Sequence, residues 1–375
     1  MVRFMHISDT HLGSVQYNIP EREQDFYDTF QEAIDIAIDR EVNFIIHAGD
    51  LFDSPRPSNR ALRIVEEQMI RLQQAVIPVF TISGDHDRPR VKDNPSHILY
   101  DLFGMNMLGM DGFESTSFGT GNEEVFIGGI GNMKIYKKEY LVDQYNLAAS
   151  KAKDAKKSVL ISHQGVSPLF PAEQSEVTED DLPVNYNYMA FGHVHQFKRK
   201  SYGNSIFSYS GSTEVKSTNE IPGLDRMGKG VNIVDLQDDK IDMERVQLTK
   251  VRPQYEISGT VDEFIGKIES LKGKDFIKKP IITPIIKEKP RMDYLKQKIL
   301  EFKDEFIIRQ PRVDVFETSS SMELSMDDKL PEVFRKYFNN EKKGDLALGI
   351  YTLVRDGKYT EEDIINIVKE ISDDH

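Results

Sequence analysis

The chain has 375 residues, which at about 100 to 200 residues per domain predicts two domains or one large domain with appendages. Apolar residues make up 39% and charged residues 29%, and no apolar run approaches the ~18 residues of a membrane span, so a soluble globular protein is expected and a membrane protein is excluded. The 48 basic and 62 acidic residues give a net charge of −14, which argues against coating nucleic acid by bulk electrostatics, and the absence of cysteine excludes disulfides, thiolate zinc sites and cysteine nucleophiles.

The N-terminus, MVRFMHISDTHLG, lacks the apolar stretch of a signal peptide, so a cytoplasmic protein is expected. Short β-branched or aromatic runs then predict buried strands at residues 2–8, 43–48, 78–83, 124–130, 158–162 and 188–192, each ending at a polar or Gly-rich turn. Between the first two strands, Phe26, Phe30, Ala33, Ile34 and Ala37 fall at helical spacing, and residues 58–74 predict a second helix opening on Ser58 as its N-cap. This alternation is the signature of a layered α/β fold. GLDRMGKG (223–230) lies one residue from a phosphate-binding loop pattern, but Gly230 stands where Ser or Thr would ligate Mg²⁺ and a strand follows, so it reads as a plain loop. Near residue 250 the rhythm changes, and two helices around the apolar run IITPII predict a small α+β domain. Residues 251–315 carry 14 Lys and Arg against 11 Asp and Glu, a net of +3 in an acidic chain. A polar, serine-rich stretch (317–328) reads as a linker. Beyond it Leu330, Val333, Phe334, Tyr337 and Phe338 form one apolar helical stripe and Ile364, Ile365, Val368 and Ile371 another.

Five short motifs end predicted strands: Asp9-Thr10-His11, Gly49-Asp50, Gly84-Asp85-His86-Asp87, Ser162-His163 and Gly192-His193-Val194-His195. Loops after strand C-termini are where α/β folds place ligands. Histidine and carboxylate donors without thiolate suit divalent ions such as Mn²⁺, Fe²⁺ or Zn²⁺, and seven of them are too many for one ion. Two metals sharing a bridging carboxylate fit better. His6, His47, His97 and His375 are read as structural or terminal.

These motifs, in this order, resemble those of the calcineurin-like metallophosphoesterases, Asp-x-His, Gly-Asp, Gly-Asn-His-Asp/Glu, His and Gly-His-x-His. The runs HAGDLFDSPRPS, SHQG, MAFGHVHQFKRK and YSGSTEV are similar to those of the archaeal DNA double-strand-break repair nucleases, whose bacterial counterpart is SbcD. The resemblance covers residues 1–250 and implies a layered metallophosphoesterase nuclease domain there. It further implies a smaller α+β capping domain at 251–316, the linker at 317–328, and a helical C-terminal tail at 329–375 that binds an SMC-like ATPase of the Rad-fifty type. Carried over by residue, Asp9, His11, Asp50 and His195 would hold one metal and Asp50, Asp85, His163 and His193 the other. His86 would be the catalytic acid that does not ligate. The resemblance also implies two Mn²⁺ per chain, 3′–5′ exonuclease action on duplex DNA, single-strand endonuclease action, and a homodimer.

Two departures stand out. Asp85 occupies the position of the family's Asn, which makes three ligand carboxylates, and Asp53 lies where some relatives carry a His assigned to the exonuclease step. Arg56, Arg60, Arg88, Arg90, Lys198, Arg199 and Lys200 flank the motifs and are candidate DNA contacts. Lys272, Lys274, Lys278 and Lys279 are similar candidates as a group. Two other readings stay open: a general metallophosphoesterase, and a DNA-end-binding scaffold whose nuclease is weakened by Asp85.

Overall fold

The computed structural model describes residues 1–88, 95–238 and 240–314, together with separate positions between 330 and 351. The chain divides into two compact units, residues 1–315 and 316–375. The first is built around two six-stranded sheets. In one the order is Ile241–Gln247, Gly230–Leu236, Val2–Ile7, Phe44–His47, Val79–Thr81 and Met105–Met107, with the last four strands parallel. In the other it is Lys198–Tyr202, Ser205–Tyr209, Tyr188–Gly192, Ser158–His163, Glu123–Ile130 and Glu114–Thr120, with the four central strands parallel.

Period-two alternation decides which way each strand faces. Val2, Phe4, Phe44, Ile46, Phe80, Val125, Ile127, Val159 and Ile161 form a core between the sheets. Met5, Ile7 and Ile45 belong instead to a core with helices Pro20–Asp39 and Asn59–Gln74, through Phe30, Ile34, Val65 and Met69. Helix Lys138–Ala152 covers the outer face of the second sheet through Leu141, Tyr145 and Ala148. The layers therefore run helix, sheet, sheet, helix. Each fully buried aliphatic or aromatic side chain in them contributes roughly 1.5–3 kcal/mol.

All six expected strands are present, and Ser58 caps the second helix by accepting the Ala61 N–H at 3.1 Å. One expectation is corrected: GLDRM of the presumed loop is the end of a helix, Ile221–Met227, because Pro222 starts a helix as readily as it breaks one and Gly228, at φ 60°, closes it.

Residues 254–314 form their own four-stranded sheet with helices Val261–Glu269 and Met292–Leu300, and bury Phe264, Ile268, Ile282, Leu295 and Phe302 in a separate core. A buried carboxylate joins this small domain to the first helix. Asp25 receives Arg22 at 2.6 Å, Arg252 at 2.5 Å and Lys278 at 3.0 Å. Arg22 also reaches Glu214 at 3.2 Å, and Glu214 in turn accepts the Arg252 backbone N–H at 3.0 Å.

In the second unit Phe334 and Tyr351 bring their rings to 5.7 Å and Arg335 pairs with Asp345 at 2.7 Å. Val333 and Phe338 of the first tail stripe and all of the second lie outside the described residues, as do Arg90 and His375. Among the described residues no helix is long and apolar enough to cross a membrane.

Candidate metal centre

Every motif stands at the C-terminal end of a central parallel strand, and the two sheets bring those ends together. Asp9 and His11 follow Val2–Ile7, Asp50 follows Phe44–His47, and Asp85 and His86 follow Val79–Thr81. From the second sheet, His163 ends its strand and His193 and His195 follow Tyr188–Gly192. Backbone pairing continues past the first sheet: the Asp9 N–H donates to Gly49 O and the His11 N–H to Asp50 O, both at 3.0 Å. The His193 N–H donates to Asp9 Oδ1 at 3.0 Å, which fastens one sheet's loop to the other's.

Asp9, His11, Asp50 and His193 all have positive φ, between 42° and 88°. Non-glycine residues pay for that conformation, typically about 1–3 kcal/mol each, and such strain concentrates at functional sites. Gly84 is required by crowding: a Cβ there would sit 2.0 Å from Asp50 Oδ1.

The donors form two groups. Asp9, His11 and His195 converge in one, and Asp85, His163 and His193 in the other, with ligand atoms inside each group within 4.8 Å of one another. Asp50 Oδ2 lies between them, 3.7 Å from His11 Nε2 and 3.5 Å from His163 Nε2. Asp9 Oδ1 is similarly central, 3.9 Å from His195 Nε2 and 4.0 Å from His163 Nε2. All seven expected ligands are thus brought together, and Asp9 faces both groups where the sequence assigned it to one.

The hydrogen bonding around these donors suits cations. His163 Nδ1 lies 2.7 Å from the Ala48 carbonyl, which can only accept, so Nδ1 carries a proton and Nε2 faces Asp50 and Asp85. His195 Nδ1 is likewise engaged by Glu220 at 3.0 Å, which turns Nε2 toward His11 Nε2, 3.1 Å away. Buried His163 Nε2 has no hydrogen-bond partner among the described residues. A divalent ion between such facing donors satisfies them together. Electrostatics agree. Burial disfavours ionised Asp50, but His163 and His11 outweigh it and hold the carboxyl well below the usual range. Burial likewise opposes ionised Asp85, and His163 and His193 overcome it. Burial opposes a charged His163, but Asp50, Asp85 and Asp9 outweigh it and hold the imidazole well above its ordinary range, so a cation bound at Nε2 would take the place of a proton there.

His86 sits beside the centre. Its backbone N–H donates to Asp50 Oδ1 at 2.9 Å, and Nδ1 lies 3.1 Å from the Asp53 carbonyl, leaving Nε2 for chemistry. It also forms a three-donor group with His11 and Asp53. Asp53 pairs with Lys216 and lies 3.3 Å from Nδ1 of His11, a candidate ligand.

Several candidate DNA contacts are committed to the fold. Arg88 donates to Asn132 O and Met110 O at 2.7 and 2.6 Å, Arg60 pairs with Glu23 at 3.2 Å, Lys198 reaches Leu169 O and Lys200 pairs with Glu179. Arg56 and Arg199 are exposed. In the small domain Lys278 serves Asp25 and Asp28, and Lys272 pairs with Glu305 at 3.3 Å. Glu220, Lys216 and Lys134, which lies 3.8 Å from Asp85, belong to no motif and are visible only in the structure. His6 and His47 are absorbed by Tyr188 at 3.0 Å and Thr10 at 3.1 Å, and His97 packs beside Asp87 at 3.5 Å, as structural residues would.

Residues 2–197 match the calcineurin-like phosphoesterase family. The DNA double-strand break repair protein Mre11 of Thermoplasma acidophilum is 41% identical over 98% of this chain and 96% of its own. Proteins of the same description are 33% identical in Methanococcus maripaludis, over 93% of this chain and 94% of that one, and 33% identical in Methanocaldococcus jannaschii, over 93% of each. Because the matched domain spans the whole ligand set and the identity extends over nearly the full chain, the chain belongs to the calcineurin-like phosphoesterases and, within them, to the archaeal Mre11 family.

Proposed function

We propose that this protein is a Mn²⁺-dependent DNA nuclease that processes double-strand breaks, with 3′–5′ exonuclease action on duplex ends and endonuclease action on single strands. One observation carries the reading: two donor groups joined through Asp50, with His86 beside them, in a chain similar to double-strand break repair proteins along nearly its full length. Asp9, His11, Asp50 and His195 would hold one ion and Asp50, Asp85, His163 and His193 a second, Asp9 leaning toward both. When bound, two such ions supply charge to clamp a phosphoryl group and acidify water.

The protein's own groups do the rest. Nδ1 of His86, held on the Asp53 carbonyl, keeps the ring oriented so that Nε2 can protonate the leaving deoxyribose oxygen. Asp50 fixes the backbone of His86, so ligand and acid move as one. The weakened-scaffold reading loses support because Lys134 already offsets the extra carboxylate of Asp85.

The division into a nuclease domain at 1–250, a capping domain at 251–316, a linker and a tail at 329–375 completes the reading, with the tail binding an SMC-like ATPase and two chains forming a dimer. Hydrolysis of a single-stranded circle and a hairpin with Mn²⁺, compared with a phosphate monoester, tests the activity. Monoester turnover without cleavage of either DNA would replace it with a general phosphoesterase. A chain ending near residue 320 is expected to keep single-strand cleavage and lose co-purification with the ATPase; retention of the complex would remove the tail assignment.

A further inference from the structure

A cavity of about 710 Å³ opens beside the candidate metal centre, lined by Asp85 and His86 together with Lys134, Tyr136 and Lys137. The last three belong to the segment 132–138, NMKIYKK, which has three lysines and no acidic residue within an acidic chain. Tyr136 is 81% exposed and Ile135 53%. Lys134, Lys137 and Lys138 are exposed as well.

The base of this segment is held firmly against the ligand loops. Asn132 donates through Nδ2 to the His163 carbonyl at 3.0 Å, and its backbone N–H donates to Ser83 O at 2.9 Å. Arg88 grips the Asn132 carbonyl at 2.7 Å. A single helical turn over Ile135–Lys137, closed by Lys137 N–H to Lys134 O at 2.8 Å, lifts the tyrosine away from the body. The backbone that carries the exposed ring and the lysines is therefore anchored, at Asn132, beside the candidate site.

From this arrangement we infer that residues 134–137 seat the nucleotide adjoining the scissile phosphate, Lys137 meeting a backbone phosphate while Lys134 stays beside Asp85 and Tyr136 stacks on an unpaired base. The inference rests on the nuclease reading above. Aromatic faces accept any base once it is free of its neighbours, and lysines follow the backbone without reading sequence. A paired end offers no free face, so the segment favours single strands and frayed ends over closed duplex.

The test is steady-state cleavage by the full chain with Mn²⁺ on oligothymidylate and on a blunt duplex of equal length. Tyr136→Ala is expected to raise KM on oligothymidylate about tenfold with little change in kcat, and to have a smaller effect on the duplex. Tyr136→Phe, which keeps the ring, is expected to restore the wild-type KM. Lys137→Ala is expected to flatten the salt dependence of KM. If the wild type cleaves oligothymidylate and Tyr136→Ala leaves KM within twofold, or Phe fails to rescue, the seat is wrong and the nuclease reading stands. If the wild type cleaves no DNA but hydrolyses bis-p-nitrophenyl phosphate, the nuclease reading falls and takes the seat with it.

Discussion

Glu220 accepts the Nδ1 proton of His195 across 3.0 Å, and it does so as a carboxylate only 4% exposed. Its other oxygen takes Ser212 at 3.0 Å and the buried ammonium of Lys229. The arrangement fixes the tautomer of His195, so that Nε2 is always the nitrogen offered to the centre. Glu220→Ala is expected to lower Mn²⁺ affinity about 10- to 100-fold in calorimetric titration. Glu220→Gln, whose amide oxygen still accepts from Nδ1, should recover part of that loss. Wild-type affinity in both variants would reduce Glu220 to a structural partner of Lys229.

His86 is expected to serve chemistry without holding metal. His86→Ala should cut DNA cleavage about 100- to 10,000-fold, the range for losing a positioned acid. Metal stoichiometry by calorimetry should stay at the wild-type value. Loss of one ion would instead promote His86 to a ligand in the group it forms with His11 and Asp53.

Asp85→Asn removes one negative charge near the substrate phosphate, where a charge ~4 Å away is worth about 1–4 kcal/mol. Lys134, 3.8 Å from Asp85, already offsets part of it. The expected outcome is a modest gain, about fivefold in turnover on DNA at saturating Mn²⁺, corresponding to roughly 1 kcal/mol. Equal or lower turnover would mean that the centre needs its third carboxylate.

His6 predicts an acid limit on stability that is separate from the metal ligands. Burial holds its imidazole down to about 3, against 6.5 for the free side chain. The unfolded chain therefore takes up a proton that the folded chain refuses. Its contribution is fully present above pH 6.5 and is lost as pH falls toward 3, with a slope of up to about 1.4 kcal/mol per pH unit. His6→Gln should show a shallower loss between pH 6 and 4 in urea unfolding. Parallel curves for the two proteins would assign the acid limit to other groups.

The candidate ligands were legible as a cluster in the sequence because divalent ions restrict the donor types, and because the ends of parallel strands are where a chain can present them from distant positions. Ser58 was legible for a similar reason, since a helix end has an unpaired N–H that few side chains can meet. Edge strands were harder. ESTSFGT at Glu114–Thr120 and KRKSY at Lys198–Tyr202 pair on one side only and keep polar residues, so they lack the apolar run that marks the inner strands. Glu220 left no signal, because it lies 25 positions from His195 and its role arises when the chain turns back on itself. Arg88 looked like a phosphate contact for the opposite reason: a basic residue beside a motif does not reveal that two backbone carbonyls will claim it.

Residues 212–220 have a mechanical consequence. At one end Glu214 is locked to Arg22 and to the backbone of Arg252, and so to the junction with the small domain. A few residues on, Lys216 grips Asp53 beside His11, and Glu220 grips His195. The Lys216 and Ser217 N–H groups both donate to Glu220, which leaves little slack between the two ends. The segment has the layout of a tie rod: bonded at one end to the junction with the small domain and at the other to Asp53 and His195, it joins that junction to the candidate metal centre.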